Sequence, residues 1–205
     1  MPMLLDPRPS RRTFLTAGTV ALTALFVPRG AVALTPALAT GLVEQVATEI
    51  TRIINSGRSE SAMISDFDTM MGRYADMPTI AQSVLGPAAR SASPGQISAF
   101  GDAFRGYMAR KYGRRFREFI GGTVNVGGAQ DQGRFVEVIS TVNLRGTAPF
   151  EVRFRVWDRS GSALFIDMLI EGVSLVISER AEIGAILDRN GGSVDATIQT
   201  LRGMG

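Results

Sequence analysis

Phe150-Glu151-Val152-Arg153-Phe154-Arg155-Val156-Trp157 alternates apolar and polar side chains without a break. Alternate residues of a strand point to opposite faces, so this stretch reads as a half-buried strand of an antiparallel sheet. Phe150, Val152, Phe154 and Val156 share the apolar face; Glu151, Arg153 and Arg155 share the other. The neighbouring stretches follow the same period. Arg134 to Leu144 puts Val136, Val138, Val142 and Leu144 on one face with Ser140 among them, and Leu164, Ile166, Met168 and Ile170 alternate further on. A weaker strand surrounds Val124 and Val126 after Gly121-Gly122. One strongly apolar sheet face results, and it must be covered.

The cover comes from the period of about 3.6 on either side. Thr35-Pro36 is an N-cap followed by proline at the first helical position, and Leu42, Val43, Val46, Ile50, Ile53 and Ile54 recur at helical spacing until Gly57. A second helix spans about Ser59 to Tyr74, with Met63, Ile64, Phe67, Met70 and Met71 on one side, and a short one spans Pro78 to Leu85 before Gly86-Pro87. Ser93-Pro94 repeats the start signal, and Ile97, Phe100, Phe104, Met108 and Tyr112 form the stripe of a longer helix. Two helices close the chain, about Leu175 to Asp188 and Val194 to Leu201, parted by Asn190-Gly191-Gly192. The expectation is a single α+β domain over residues 34–205: helices over about 34–120, an antiparallel sheet over about 123–171, and C-terminal helices over about 175–202.

Residues 1–33 have a separate character. Arg11-Arg12-Thr13-Phe14-Leu15 precedes a small, apolar run from Thr16 to Val27, then Pro28 and Ala31-Val32-Ala33. That order matches an export signal with a cleavage site after Ala33, and the Arg11-Arg12 pair resembles the twin-arginine type. The apolar run falls short of the roughly 20 residues that span a membrane. The formal charge of +3 also sits here: four arginines against Asp6, which leaves 18 basic and 18 acidic residues in the remainder. A neutral exported body argues against a nucleic-acid partner.

Composition removes much chemistry. With no Cys and no His, thiolate nucleophiles, His-based triads, disulfides and the usual zinc sites lack their residues. Lys111 is the single lysine. Asp66-Phe67-Asp68 is the best metal-like motif, but residues two apart on a helix diverge by about 200° around its axis; no metal and no cofactor is expected. Arg105, Arg110, Lys111, Arg114, Arg115 and Arg117, interleaved with Tyr107, Tyr112, Phe116 and Phe119, form one basic aromatic cluster. It reads either as a solvated helix face beside a buried stripe or as a contact for an anionic headgroup or acidic surface. Asp167, opposite Arg153 and Arg155 on the neighbouring strand, reads as a cross-strand ion pair. Tyr107 and Tyr112 read as core aromatics with satisfied hydroxyls, and Trp157 as packed beneath a helix or loop.

Asp167-Met168-Leu169-Ile170-Glu171-Gly172-Val173-Ser174, followed by Glu179-Arg180 and the Gly191-Gly192 break, resembles the C-terminal signature of the MlaC-type family, also called the toluene-tolerance auxiliary family. Tyr74-Ala75-Asp76, Phe100 to Phe104, and Tyr107-Met108 to Tyr112-Gly113 agree in order and spacing. The resemblance implies periplasmic phospholipid-binding components of a lipid-transport ABC system that serves outer-membrane lipid asymmetry. It implies an NTF2-like curved sheet with an added helical subdomain, enclosing a deep apolar cavity for lipid tails. It further implies two partners, an inner-membrane ABC transporter with an MCE-domain protein and an outer-membrane lipoprotein complex. No enzymatic step is implied. Hopanoid is the alternative cargo; a lipid-modifying enzyme and a non-lipid adaptor are the rival classes. On this reading the tail-contacting residues are Phe104, Met108 and Tyr112 on the helix, and Val138, Val142, Phe154, Val156, Ile166, Met168 and Ile170 on the strands. Asp167, Glu171, Gly172, Val173 and Ser174 are expected to be structural, Gly172 as a turn and Ser174 as an N-cap.

Overall fold

The computed structural model describes residues 34–159 and 162–204; the export signal read in residues 1–33, with Arg11 and Arg12, lies outside them. Thr35 accepts from the Leu38 amide and opens α1 (Pro36–Ile54). Ser59 does the same for α2 (Glu60–Tyr74), and Asp76 for α3 (Met77–Leu85). Each cap satisfies one of the amides that a helix start leaves without a partner. A 3-10 turn, Gly86–Arg90, leads to α4 (Pro94–Gly113), which Ser93 and Gln96 start with a reciprocal capping box. A second 3-10 turn, Phe116–Phe119, enters the sheet.

The sheet is an antiparallel meander in the order β1 (Thr123–Asp131), β2 (Val136–Asn143), β3 (Phe150–Trp157), β4 (Leu164–Ile170) and β5 (Val173–Ser174). Helices α5 (Leu175–Arg189) and α6 (Val194–Gly203) follow. The fold is α+β, as the two periodicities require. β1 is longer than its sequence suggests. It pairs with β2 from Thr123↔Asn143 to Asp131↔Val136, and a bulge at Gly127-Gly128 interrupts the alternation that would have announced it.

A second bulge corrects the reading of β4. Asp167 pairs with Arg155 and Phe165 with Val156, so Ile166 is an extra residue with no partner on β3. From that point toward the N-terminus the faces are exchanged. Phe165, not Ile166 or Leu164, joins Met168 and Ile170 on the apolar side and packs edge-on against Phe154, with ring centroids 6.1 Å apart.

Two separate cores form. One gathers α2, α3, α4, α5 and α6 around Met63, Met70, Phe100, Phe104, Ile183 and Leu201. The other lies between α1 and the sheet, where Ala39 and Val43 meet Val136, Val138, Val152 and Val156. The corner between α2 and α3 ties them to the sheet: the Asp76 amide donates to the Phe165 carbonyl at 2.9 Å, and Trp157 Nε1 donates to Asp76 Oδ2 at 2.9 Å. Trp157 is therefore anchored to a helix cap.

Ser140, 1% exposed on β2, has no partner for its Oγ. A buried hydroxyl that exchanges water for nothing costs free energy. Ser140→Ala is expected to raise stability by about 1 kcal/mol, which is roughly 2–4 °C in a domain of this size. Thermal unfolding followed by circular dichroism reads this directly, and a lowered midpoint would contradict it.

Candidate functional site

Because the two cores do not merge, space remains between them. A cavity of about 280 Å³ is walled by Val46, Ile50 and Ile54 of α1, Phe67, Met70 and Met71 of α2, and Phe104, Met108 and Tyr112 of α4. The sheet contributes Val124, Val142, Phe150, Val152, Phe154, Phe165, Met168 and Ile170, and α5 contributes Leu175, Val176 and Glu179. An apolar void of roughly 150 Å³ already stays dry and accepts small hydrocarbons; this one is larger, and its wall is almost wholly carbon.

Burial is uneven along the wall. Met70, Met71, Ala75, Ile80 and Phe104 are buried. Thr123 is exposed, and Val142, Leu144 and Phe150 are half-buried, where the start of β1, the end of β2 and the start of β3 come together. Gly122 permits that edge: a Cβ there would lie 2.7 Å from Leu144 Cδ2 and 2.9 Å from the Phe119 carbonyl oxygen. Arg145 lies against neighbouring Gly121. Ile120, Val173 and Ile177, in the segments flanking this end, are among the exposed large apolar side chains.

The residues expected to touch a ligand fall into two groups. Phe104, Met108, Tyr112, Val142, Phe154, Met168 and Ile170 line the cavity. Val138, Val156 and Ile166 do not. Val138 and Val156 are fully buried in the core beneath α1, and the β4 bulge displaces Ile166. Sequence reasoning missed the contributions of α1 and α2, although Ile50, Ile54, Met70 and Met71 were already marked as apolar helix faces.

The signature segment builds a corner of the wall. Glu171 (φ 48°) and Gly172 (φ 78°) are the two left-handed residues of a tight hairpin that pairs Ile170 with Val173. Ser174 Oγ accepts from the Ile177 amide and donates to Asp167 Oδ2 at 2.7 Å. Asp167 Oδ1 accepts from the amides of Met168 and Val176, so a carboxylate sits on the first turn of α5, where the helix dipole favours it. Arg155 approaches Asp167 Oδ2 at 3.4 Å, while Arg153 turns instead to Glu137 and Glu151.

The basic cluster is largely taken up inside the protein. Arg105 meets Asp68 at 3.1 Å, and Asp66 pairs with Arg58, so the two carboxylates of Asp66-Phe67-Asp68 serve different arginines. Arg110 donates to the Leu201 and Met204 carbonyls at the end of α6. Lys111 bridges Glu179 Oε1 at 2.8 Å and Glu182 Oε2 at 2.6 Å. The Tyr112 hydroxyl donates to Glu179 Oε1 at 2.7 Å, and Tyr107 to Glu182 Oε1 at 2.5 Å. This clasp joins α4 to α5 beside the cavity.

Its members titrate accordingly. Burial, reinforced by the bond to Glu182, pushes Tyr107 up to about 12. Burial and Glu179 push Tyr112 up as well. Burial alone would lower Lys111, but its bonds to Glu179, Glu182 and Tyr107 together outweigh that and raise it. The bonds from Lys111 and Tyr107 lower Glu182 below its ordinary 4.5. A lowered carboxylate stabilises the fold above its unfolded value, and the contribution is lost as pH falls through the folded value. A raised lysine contributes fully below its ordinary 10.5 and loses that contribution as pH rises through the folded value. Thermal midpoints are therefore expected to drop on acidification below about pH 4.5, and Glu182→Gln should shrink that drop. An identical acid limb in the variant would remove Glu182 from the clasp's energetics.

Among the described residues there is no cluster of three or more acidic side chains that could hold a metal ion, and no helix is long and apolar enough to cross a membrane. The arrangement offers an apolar container with a few fixed polar points in its wall. A family model described as MlaC protein matches residues 44–203. Among solved structures the chain is similar to a phospholipid-binding protein from Ralstonia solanacearum, determined in complex with a phospholipid. The two share 22% sequence identity with a TM-score of 0.68, over 80% of this chain and 94% of that one. At that identity the likeness establishes a common fold.

Proposed function

Because the chain belongs to the MlaC family, we propose that it is a periplasmic carrier that moves phospholipid between the inner and outer membranes without changing it chemically. The observation that carries this reading is the cavity between the two cores, walled almost wholly by carbon. Each methylene transferred from water to such a wall gains about 0.8 kcal/mol, so two tails of about 16 carbons gain on the order of 20 kcal/mol before ordering costs. A ligand held in that way leaves readily only into another apolar surface. The carrier therefore works with partners that present one: an inner-membrane ABC transporter with its MCE-domain protein, and an outer-membrane lipoprotein complex. Residues 1–33 would direct export and be removed.

The fold of the Ralstonia protein, seen with a phospholipid, supports the same reading. On this reading an anionic headgroup would meet Arg145, whose guanidinium lies against Gly121 at the start of the sheet. The test is transfer: residues 34–205, added to donor vesicles of phosphatidylethanolamine, phosphatidylglycerol and a fluorescent phospholipid, should accelerate movement of the label into unlabelled acceptor vesicles. Transfer no faster than in buffer alone would contradict the carrier. Appearance of a cleaved lipid product would favour an enzyme instead.

A further inference from the structure

We propose that the turn at residues 117–120, with Arg145 beside it, is a docking surface for an anionic bilayer, so that the chain meets a membrane with this corner of the molecule foremost. The inference rests on the cavity being where lipid chains bind, and adds the surface by which the membrane is met.

The 3-10 turn Phe116–Phe119 and the residues that lead into β1 build the corner. The Ile120 amide donates to the Arg117 carbonyl, and in a 3-10 turn side chains three residues apart lie one above the other. Arg117 and Ile120 therefore share a face, and both are exposed, Ile120 at 47%. Arg145 joins them from the loop between β2 and β3. A Cβ on Gly121 would lie 2.8 Å from Arg145 Nε and 2.9 Å from its Cζ, so the side chain that glycine lacks leaves the seat for the guanidinium. The corner is continuous with the cavity wall along the chain. Phe116, Phe119 and Leu144, each next to one of the three, all line the cavity.

Residues 34–205 hold 18 basic and 18 acidic side chains, so net charge gives no general attraction to an anionic surface. The attraction is local. Among the described residues Arg117 and Arg145 have no carboxylate partner, and Glu118, the acid next to Arg117, is bound by Arg115. Arg90, Arg134 and Arg202 are also without an ion pair among the described residues, but none of them adjoins a wall residue in the chain. Two cations beside an exposed aliphatic side chain match a bilayer surface, which presents phosphate oxygens above hydrocarbon. An acidic protein surface would satisfy the arginines and leave Ile120 against carboxylates.

Residues 34–205 lie in one compact unit, so they can be tested without the export signal, whose apolar run would itself bind vesicles. They would be floated with vesicles of phosphatidylcholine alone and of equal parts phosphatidylcholine and phosphatidylglycerol. The expected result is stronger binding to the anionic vesicles, with a gain that fades as salt is added. Arg117→Gln with Arg145→Gln should weaken that binding by about 25-fold, about fivefold for each arginine near the surface. Arg90→Gln with Arg202→Gln removes the same charge elsewhere and should leave it unchanged. Ile120→Ser should also lower binding, and this loss should persist in high salt. Equal binding of the unaltered chain to the two vesicle types overturns the surface, as do equal losses in the two arginine pairs. If neither vesicle binds while beads bearing polyglutamate retain the chain, the arginines serve an acidic protein surface and the proposal falls. An organic extract of the same preparation reads the carrier separately: extracted lipid without flotation removes this surface and leaves the carrier standing.

Discussion

Ile50→Trp is expected to exclude lipid while leaving the fold intact. Ile50 is half-buried on α1 and faces the cavity, so an indole at this position can extend into existing space without forcing packed atoms apart. Displacing only two methylenes of a bound chain removes about 1.6 kcal/mol, and 1.4 kcal/mol is tenfold in affinity. The larger indole should thus lower lipid retention by tenfold or more. The thermal midpoint of the delipidated variant should match or exceed that of the delipidated parent, because the ring gains contacts the void denied. Co-purified lipid per protein, measured by phosphate assay on an organic extract, decides it. Undiminished lipid in a folded Trp variant would mean that chains do not occupy the space beside α1.

Asp167→Ala should give the largest loss of stability. The substitution strands the Ser174 hydroxyl and the Val176 amide at a buried helix start, and it removes a carboxylate that Arg155 faces. Removing one member of a buried charged network costs about 3–5 kcal/mol, or roughly 10 °C in a domain of this length. Lipid retention should fall with it, since Leu175 and Val176 of that same helix turn line the cavity. Asp66→Ala is the contrast: its ion pair with Arg58 lies at the surface, where such pairs are worth about 0–1 kcal/mol. Similar midpoints for the two variants by calorimetry would show that the Asp167 network carries no special weight.

These residues also show how far sequence alone reaches. The alternation of Phe150 to Trp157 is legible because a period of 2 depends on the strand alone, and β3 runs over those residues. The inward face of β4 was not legible, because the Ile166 bulge is set by pairing with β3 and leaves no mark in β4's composition. Val138 and Val142 have the same periodicity and the same residue type, yet Val138 is sealed beneath α1 and Val142 lines the cavity. Both pack in the core beneath α1, and only Val142 also borders the void. A pattern that specifies burial does not say whether the burying surface is another side chain or a void.

Charged residues tell the same story in reverse. Glu179, which the sequence marks only as part of the signature, is buried on α5 and held by Lys111 and Tyr112, remote in the chain. The basic cluster near the end of α4 reads either as a solvated face or as a contact for an anion, and Arg105, Arg110 and Arg115 are held by Asp68, the α6 carbonyls and Glu118. Local spacing predicts helix faces; partners brought by the fold decide what those faces do.

The central claim is that the space between the two cores holds lipid chains. Residues 34–205, expressed with export and purified without detergent, should show a native mass exceeding the denatured mass by one stoichiometric increment, and an organic extract should resolve that increment into a two-tailed phospholipid. A hopanoid in the extract would keep the carrier and change the cargo. A native mass equal to the denatured mass, in a protein that also takes no lipid from vesicles, would contradict the account.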